Sequence, residues 1–153
     1  MPKVQADGLP LPQRYCAILT IVIGISMAVL DGAIANVALP TIATDLHATP
    51  ASSIWVVNAY QIAIVISLLS FSFLGDMFGY RRIYKCGLVV FLLSSLFCAL
   101  SDSLQMLTLA RVIQGFGGAA LMSVNTALIR LIYPQRFLGR GMAINSFIVA
   151  VSS

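Results

Sequence analysis

The sequence predicts an all-α fold, a polytopic bundle of transmembrane helices. Hydrophobic residues make up 59% of the chain and charged residues only 9%, whereas soluble domains carry about 25% charged residues. The apolar residues also lie in runs of membrane-spanning length, separated by short polar segments. These observations exclude a soluble domain. They also exclude a nucleic-acid-binding surface despite the net charge of +4, because a bilayer sorts such charges between its two sides.

A polar tail and five apolar segments follow one another along the chain. Residues 1–14 contain Pro2, Pro10 and Pro12 and predict a short cytoplasmic tail. At about 1.5 Å per residue, the first apolar segment reaches roughly 37 Å, enough to cross a bilayer, and Pro40 is expected to end it. The predicted spans are residues 15–39, 53–74, 83–100 and 104–132, with a truncated fifth span at 142–153.

The fifth segment is too short to cross a membrane. Residues 142–153 form roughly 18 Å of helix, and the hydrocarbon core needs about 30 Å. We therefore expect the chain to be a fragment of a longer protein, whose remaining helices are its partners. The alternative is a four-span protein with an amphipathic C-terminal tail, whose apolar face would comprise Ile144, Phe147, Ile148 and Val151.

Basic residues fix the predicted orientation. Eight of the nine Lys and Arg residues lie on one side of the predicted spans, and the two loops on the other side contain none. The positive-inside rule therefore places the N-terminus in the cytoplasm. Trp55 and Tyr60 near the start of the second span suit an interfacial aromatic belt. The eight basic residues are Lys3, Arg14, Arg81, Arg82, Lys85, Arg130, Arg136 and Arg140.

Two charges lie deep inside the spans, away from the basic ends. Arg111 is the ninth basic residue, and a cation at the centre of a span costs at least roughly 2.5–3.5 kcal/mol on insertion scales. Asp31 lies at a similar depth in the first span, so the two side chains could meet and offset each other's desolvation cost. Burial disfavours a charged carboxylate and a nearby cation favours it, so Asp31 is a candidate proton-coupling site together with Arg111. The alternative is a fixed ion pair that holds helices together.

One face of the fourth span is polar and small. The residues of this face follow helical spacing, which indicates that the face is turned toward a polar interior. They are Arg111, Gln114, Gly115, Gly118, Met122 and Asn125. Gly115, Gly117 and Gly118 permit close helix packing, and packing without any further role is the alternative for Gly117 and Gly118. Gln114, Met122 and Asn125 are candidates for a substrate path.

Three amides in the outer halves of the first two spans are further candidates for the substrate path. Asn58 and Gln61 are three residues apart and share a helix face, and Asn36 lies in the first span. Helix capping and interhelical hydrogen bonds would use the same amides equally well. The sequence leaves these two interpretations open.

The charged segment from Gly75 to Arg82 predicts a tight cytoplasmic connection. Asp76 is expected near the start of the third helix, where the positive end of the helix dipole would stabilise it. Gly79 permits the turn, and Arg81 and Arg82 fix the topology. The segment is a candidate gating loop, and a topology anchor without a gating role is the alternative.

No pattern typical of an enzyme, a metal site or a bound cofactor occurs in the sequence. Cys16, Cys86 and Cys98 have no metal-ligand spacing, and the predicted topology gives them no disulfide framework. His47 stands alone in a loop, and no phosphate-binding loop is present.

Three motifs resemble one family. Residues 74–82 resemble the loop between the second and third helices of the major facilitator superfamily, whose pattern G-x-L-a-D-r-x-G-r-k/r is matched at Leu74, Asp76, Gly79 and Arg81. Two positions depart from it, where Ser72 replaces a glycine and Tyr80 a basic residue. Residues 111–119 resemble the fourth-helix motif R-x-x-Q-G-x-G-x-A of proton-coupled members. Residues 30–40 and 55–60 are similar to the fourteen-helix drug–proton antiporters.

The resemblance implies a transporter rather than an enzyme. It implies export of small, often lipophilic or cationic molecules across the bacterial inner membrane, driven by inward proton flow. It also implies that Arg111 assists proton transfer and that Asp76 and Arg81 lock conformations. The glycine–proline motif expected in the fifth helix of antiporters would follow Ser153. A uniporter or importer of the same superfamily, and a small four-span protein without transport activity, remain alternatives.

Overall fold

Four helices form the described part of the molecule. The computed structural model describes residues 11–46 and 48–133, with the scattered positions 139, 141–143, 146, 147 and 150. Each of the four helices is long and apolar enough to cross a membrane, so the predicted all-α transmembrane bundle is confirmed for these residues. The fifth predicted segment lies largely outside them. The helices are α1 (Leu11–Asp45), α2 (Pro50–Phe78), α3 (Tyr80–Ala99) and α4 (Leu104–Ile132).

The fourth helix is the centre of this bundle. In its most apolar window 61% of residues are buried, against 22% for α1 and 28% for α2 and for α3. Both α2 and α3 pack along α4, whereas α1 contacts the other helices less extensively. Large apolar side chains such as Val65, Leu69 and Phe97 remain exposed on the outer helices. They suit contact with lipid or with further helices.

Glycines let the neighbouring helices approach α4 closely. A Cβ atom on Gly115 would lie 2.7 Å from the carbonyl oxygen of Tyr60 in α2. A Cβ atom on Gly117 would lie 2.7 Å from the backbone nitrogen of Phe91 in α3. Gly118 is less tightly enclosed, since its nearest neighbour would be the Tyr60 hydroxyl at 3.2 Å. Gly115 and Gly117 therefore set two different helix–helix contacts from opposite sides of α4.

The prediction that Pro40 ends the first helix is wrong. Pro40 lies inside α1, which continues to Asp45. A proline removes one backbone hydrogen bond, but a transmembrane helix can accommodate this locally without ending. The second helix also begins earlier than predicted. Pro50 occupies its first turn, where a missing N–H is harmless, and Thr49 caps the helix by accepting a hydrogen bond from the backbone N–H of Ser52 at 3.3 Å.

The connection between α2 and α3 is a single residue. Gly79 has φ +94° and ψ +129°, a conformation that side chains disfavour, and helix extends through the rest of the predicted loop. Asp76 therefore lies in the last turn of α2 rather than at the start of α3, and the predicted stabilisation by the α3 dipole is wrong. The Tyr80 hydroxyl instead donates a hydrogen bond to the Asp76 carboxylate across the turn.

A glycine-to-alanine comparison tests the close packing on α4. We expect Gly117→Ala to destabilise the full-length protein by about 1–3 kcal/mol, because the new methyl group meets α3 backbone atoms that cannot move independently. Gly32→Ala is the matched control, since its Cβ would have nothing within 4 Å. Thermal unfolding in detergent measures both. Equal unfolding temperatures for the two variants would contradict this account of the α3–α4 contact.

Candidate functional site

The two charges inside the predicted spans are in contact. Arg111 on α4 donates from Nη1 to the Asp31 carboxylate on α1, with 2.5 Å between Nη1 and Oδ2. Positions 31 and 111 come from helices far apart in sequence, so the pair ties α1 to the central helix. Each charge offsets part of the other's desolvation cost, as predicted from their similar depth in the spans.

Gln114 completes a three-membered polar network. Its side chain is fully buried one turn after Arg111. Its Nε2 donates to Oδ1 of Asp31 at 3.0 Å, and its Oε1 accepts from Nη1 of Arg111 at 2.7 Å. The Cys98 thiol of α3 also approaches Oε1, at 3.6 Å. Gln114 thus forms a hydrogen bond with each charged side chain. It does not line an open cavity among the described residues.

Tyr60 is part of the site, although the sequence analysis assigned it to an interfacial belt. The aromatic-belt prediction is wrong for this residue, which is 2% exposed. Its ring lies against the Arg111 guanidinium, with 4.5 Å between Cζ and the ring centroid. Helical spacing is the sequence feature that could have indicated its burial. Tyr60 lies on the α2 face that also carries the buried residues Val56, Ala63 and Ser67.

The two charged side chains differ in accessibility. The Arg111 side chain is 5% exposed and the Asp31 side chain 22%. Arginine stays protonated in proteins, so the buried member of the pair carries a fixed positive charge. The carboxylate is the more accessible member.

A cavity of about 310 Å³ opens beside this network. It lies between α1, α2 and α4, and three of the predicted substrate-path residues, Asn36, Gln61 and Met122, contribute to its lining. The wall is otherwise apolar apart from the Tyr60 side chain, which suits a small molecule with few polar groups. The remaining lining residues are Ala28, Val29, Gly32, Ala33 and Ile64.

The other predicted path residues lie elsewhere. Asn58 is exposed and lies outside the lining of this cavity, although it was expected to share a face with Gln61. Asn125 is buried in α4, one turn beyond Met122. The structure therefore brings three of the six candidates to one cavity and puts Gln114 in the charged network.

The gating-loop residues lie at the opposite end of the bundle. Arg81 and Lys85, one turn apart on α3, line a second cavity of about 280 Å³ together with Tyr84. Arg82, Asp76 and Gly79 are exposed at the turn. The Tyr84 hydroxyl donates to the Thr20 carbonyl of α1 at 3.0 Å. This end joins α1 to α3, whereas the Asp31 network joins α1 to α4.

Comparison with known proteins identifies the family. The sequence profile described as Major Facilitator Superfamily matches residues 21–153, which include α2, α3, α4 and most of α1. The chain belongs to the Major Facilitator Superfamily. Membership agrees with the resemblance of the three motifs, and it makes the chain part of a multi-pass membrane protein.

Several curated relatives match nearly the whole chain. It is 99% identical to the Uncharacterized transporter YebQ of Escherichia coli K12 over 153 residues, which are 100% of this chain and 34% of that protein. It is 32% identical to the Riboflavin transporter RibZ of Clostridioides difficile over 143 residues (94% and 31%). It is 34% identical to the Tetracenomycin C resistance and export protein of Streptomyces glaucescens over 152 residues (99% and 28%). The chain spans about a third of the length of these relatives.

Paired substitutions test whether the charges stabilise each other. We expect Asp31→Leu to destabilise the full-length protein by about 3–5 kcal/mol, because it leaves the Arg111 cation buried without a counter-charge. Asp31→Leu combined with Arg111→Met should recover most of this loss, since both charges are then removed. Thermal unfolding and membrane expression level measure the effect. A double variant no more stable than Asp31→Leu alone would show that the pair is not the source of the stability.

Proposed function

We propose that the full-length protein is a proton-coupled secondary transporter that exports small, lipophilic or cationic compounds by alternating access. The single observation that carries this proposal is the network of Asp31, Arg111 and Gln114 in the middle of apolar helices. An ionisable pair inside a membrane span is costly and marks ion or substrate pathways. Its position beside a cavity favours a transport role over a purely structural one.

The chemistry of the pair supports protons as the coupling ion. Asp31 is reachable and can bind a proton, whereas Arg111 keeps its charge. Protonation of Asp31 would remove one charge from the pair and leave Arg111 to rely on Gln114. The preference of the carboxylate for a proton then depends on how closely Arg111 approaches, so a rearrangement of the helices would bind or release a proton.

The cavity and the relatives support the proposed substrate class. The cavity wall is mainly apolar, with two amides and a tyrosine as polar groups, so it suits lipophilic molecules. One relative is named for tetracenomycin C resistance and export, and proteins of Mycobacterium tuberculosis named Drug efflux pump JefA are 37% identical to the chain over 124 residues. These names support export of drug-like compounds.

A second candidate is a riboflavin transporter without proton coupling. The relative named for riboflavin transport supports an uncharged, planar aromatic compound as the substrate class, and Asp31–Arg111 would then act as a structural pair. Family membership favours both transporters over a small four-span protein without transport activity. Proton movement on addition of substrate separates the two transport candidates.

The topology at the cytoplasmic end is part of the proposal. We place the N-terminus and the α2–α3 turn in the cytoplasm of a bacterial inner membrane, on the basis of the basic residues. We also assign Asp76, Gly79, Arg81 and Arg82 to a gate that locks conformations through contacts with neighbouring helices. The Tyr80–Asp76 hydrogen bond would hold the acidic member of this gate in place.

Substrate-induced proton movement tests the coupling site. Inverted membrane vesicles containing the full-length protein are energised, and ethidium or riboflavin is added while a fluorescent dye reports the proton gradient. We expect Asp31→Asn to abolish most of the substrate-induced proton movement, because an amide cannot exchange the proton. Asp45→Asn, an exposed position at the end of the same helix, should behave as the wild type. Wild-type transport and unchanged pH dependence in Asp31→Asn would disprove the assignment.

Cysteine labelling tests the orientation. In a background without the three native cysteines, Asp102→Cys in the α3–α4 turn should react with a membrane-impermeant maleimide added to intact spheroplasts. Arg81→Cys at the α2–α3 turn should react only after permeabilisation, because we place it in the cytoplasm. The reverse pattern would invert the topology.

A further inference from the structure

Tyr60 contacts both parts of the candidate site. One side of its ring lies against Arg111, with 4.5 Å between Cζ and the ring centroid. The same side chain lines the cavity with Asn36, Gln61 and Met122. A molecule in the cavity would therefore meet a ring that also touches the cation of the charged pair.

The position of this ring depends on three helices. Tyr60 belongs to α2, and its hydroxyl donates to the carbonyl of Ala28 in α1 at 3.4 Å. Its backbone carbonyl lies so close to Gly115 of α4 that a Cβ atom there would be only 2.7 Å away. The backbone of Tyr60 is thus fixed on α4, while the outer end of its side chain follows α1. Movement of α1, or filling of the cavity beside it, would change how the ring covers Arg111.

The ring contact matters because Arg111 has few other partners. Nη1 donates to Asp31 and Gln114, but Nε and Nη2 are buried and have no hydrogen-bond partner among the described residues. The electron-rich face of an aromatic ring stabilises a nearby cation, and more strongly when the cation is desolvated. Tyr60 therefore helps to hold the guanidinium in the position from which it binds Asp31.

We propose that Tyr60 is the positioning residue through which occupancy of the cavity strengthens the Asp31–Arg111 pair. A bound compound confines the ring over Arg111, which favours the charged form of Asp31 and releases a proton. An empty cavity leaves the ring less confined, so that Asp31 binds a proton more readily. By thermodynamic linkage, a proton on Asp31 must weaken binding of the compound by the same factor. This inference rests on the proposed proton-coupled function.

The test separates the ring's electrostatic contact from its shape. The full-length protein is purified in detergent, and ethidium affinity is measured by fluorescence across a pH series, together with the protons released on binding. Tyr60→Phe keeps the ring and loses the hydroxyl. Trifluorophenylalanine at position 60 keeps nearly the same shape but removes most of the negative charge from the ring face. Because neither change empties the core, both variants should fold.

We expect the phenylalanine variant to keep most of the wild-type change of ethidium affinity with pH, because its ring is still placed by the backbone contact with Gly115 and by the bound compound, although the long hydrogen bond to Ala28 is lost. In the trifluorophenylalanine variant, the ratio of the ethidium affinities at high and low pH should be about threefold to fivefold smaller than in the wild type. This factor corresponds to the loss of one cation–π contact. A direct contact between ethidium and the ring would alter affinity equally at every pH, so the pH dependence identifies the effect on Asp31. Riboflavin, an uncharged probe, should show the same loss.

Tyr84 provides the matched control. It is 4% exposed and its hydroxyl also donates to a carbonyl of α1, but it lies at the other cavity, beside Arg81 and Lys85. The same two substitutions at position 84 should leave the pH dependence of affinity unchanged. An equal loss at position 84 would overturn the proposal, since a general contact with α1 would then suffice.

The remaining outcomes are also decisive. If trifluorophenylalanine and phenylalanine at position 60 give the same pH dependence, the ring face does not act on the pair and the inference is wrong. If the wild type itself releases no protons with either probe at any pH, the proposed proton coupling is wrong, and the role of Tyr60 that depends on it is wrong as well. Proton release in the wild type therefore distinguishes the two failures.

Discussion

The structure depends on one constraint, a cation and a carboxylate that must be satisfied inside apolar helices. Arg111 cannot lose its charge and cannot reach water from its position on α4, so Asp31, Gln114 and the Tyr60 ring surround it. These groups come from α1, α4 and α2. The requirement to satisfy a single guanidinium thus fixes the relative positions of three helices in the half of the bundle away from the α2–α3 turn.

Small residues make this arrangement sterically possible. Gly115 and Gly117 bring the backbones of α2 and α3 against opposite sides of α4, and such close approach favours helix association in lipid through van der Waals packing. The close approach of α2 at Gly115 also places the Tyr60 ring against Arg111, which lies one helical turn before Gly115 on α4. The close packing and the charged network therefore occupy one short stretch of α4, residues 111–117, so that a change in either is expected to affect the other.

The sequence predicted the helices and the charged pair because both follow from the cost of placing polar groups in a membrane. Long apolar runs must be helices, and Arg111 needed a partner at its own depth, which only Asp31 could supply. Pro40 and Asp76 were misplaced for a different reason, since local preferences at a proline or a helix end are weaker than the continuity of an apolar helix. Tyr60 was missed because an aromatic residue near a span end suits the membrane interface as well as a core, and only tertiary packing distinguishes the two.

The helices are packed unevenly, and the charged pair joins the least extensively packed helix, α1, to the central helix α4. Helices α2 and α3 both pack extensively along α4, whereas α1 has fewer contacts with the other helices. Besides Ile21, Ile25 and Ala28 in the apolar core, α1 is joined to them by the hydrogen bonds of Asp31 to Arg111, Ala28 to Tyr60 and Thr20 to Tyr84. Adding a proton to Asp31 would weaken one of these connections and leave the packing of α2 and α3 along α4 intact. In a transporter that works by alternating access, α1 would then be the element whose position depends on protonation, and the cavity it borders would change with it. Proton binding and cavity shape would thus be linked through the helix that packs least extensively against the others.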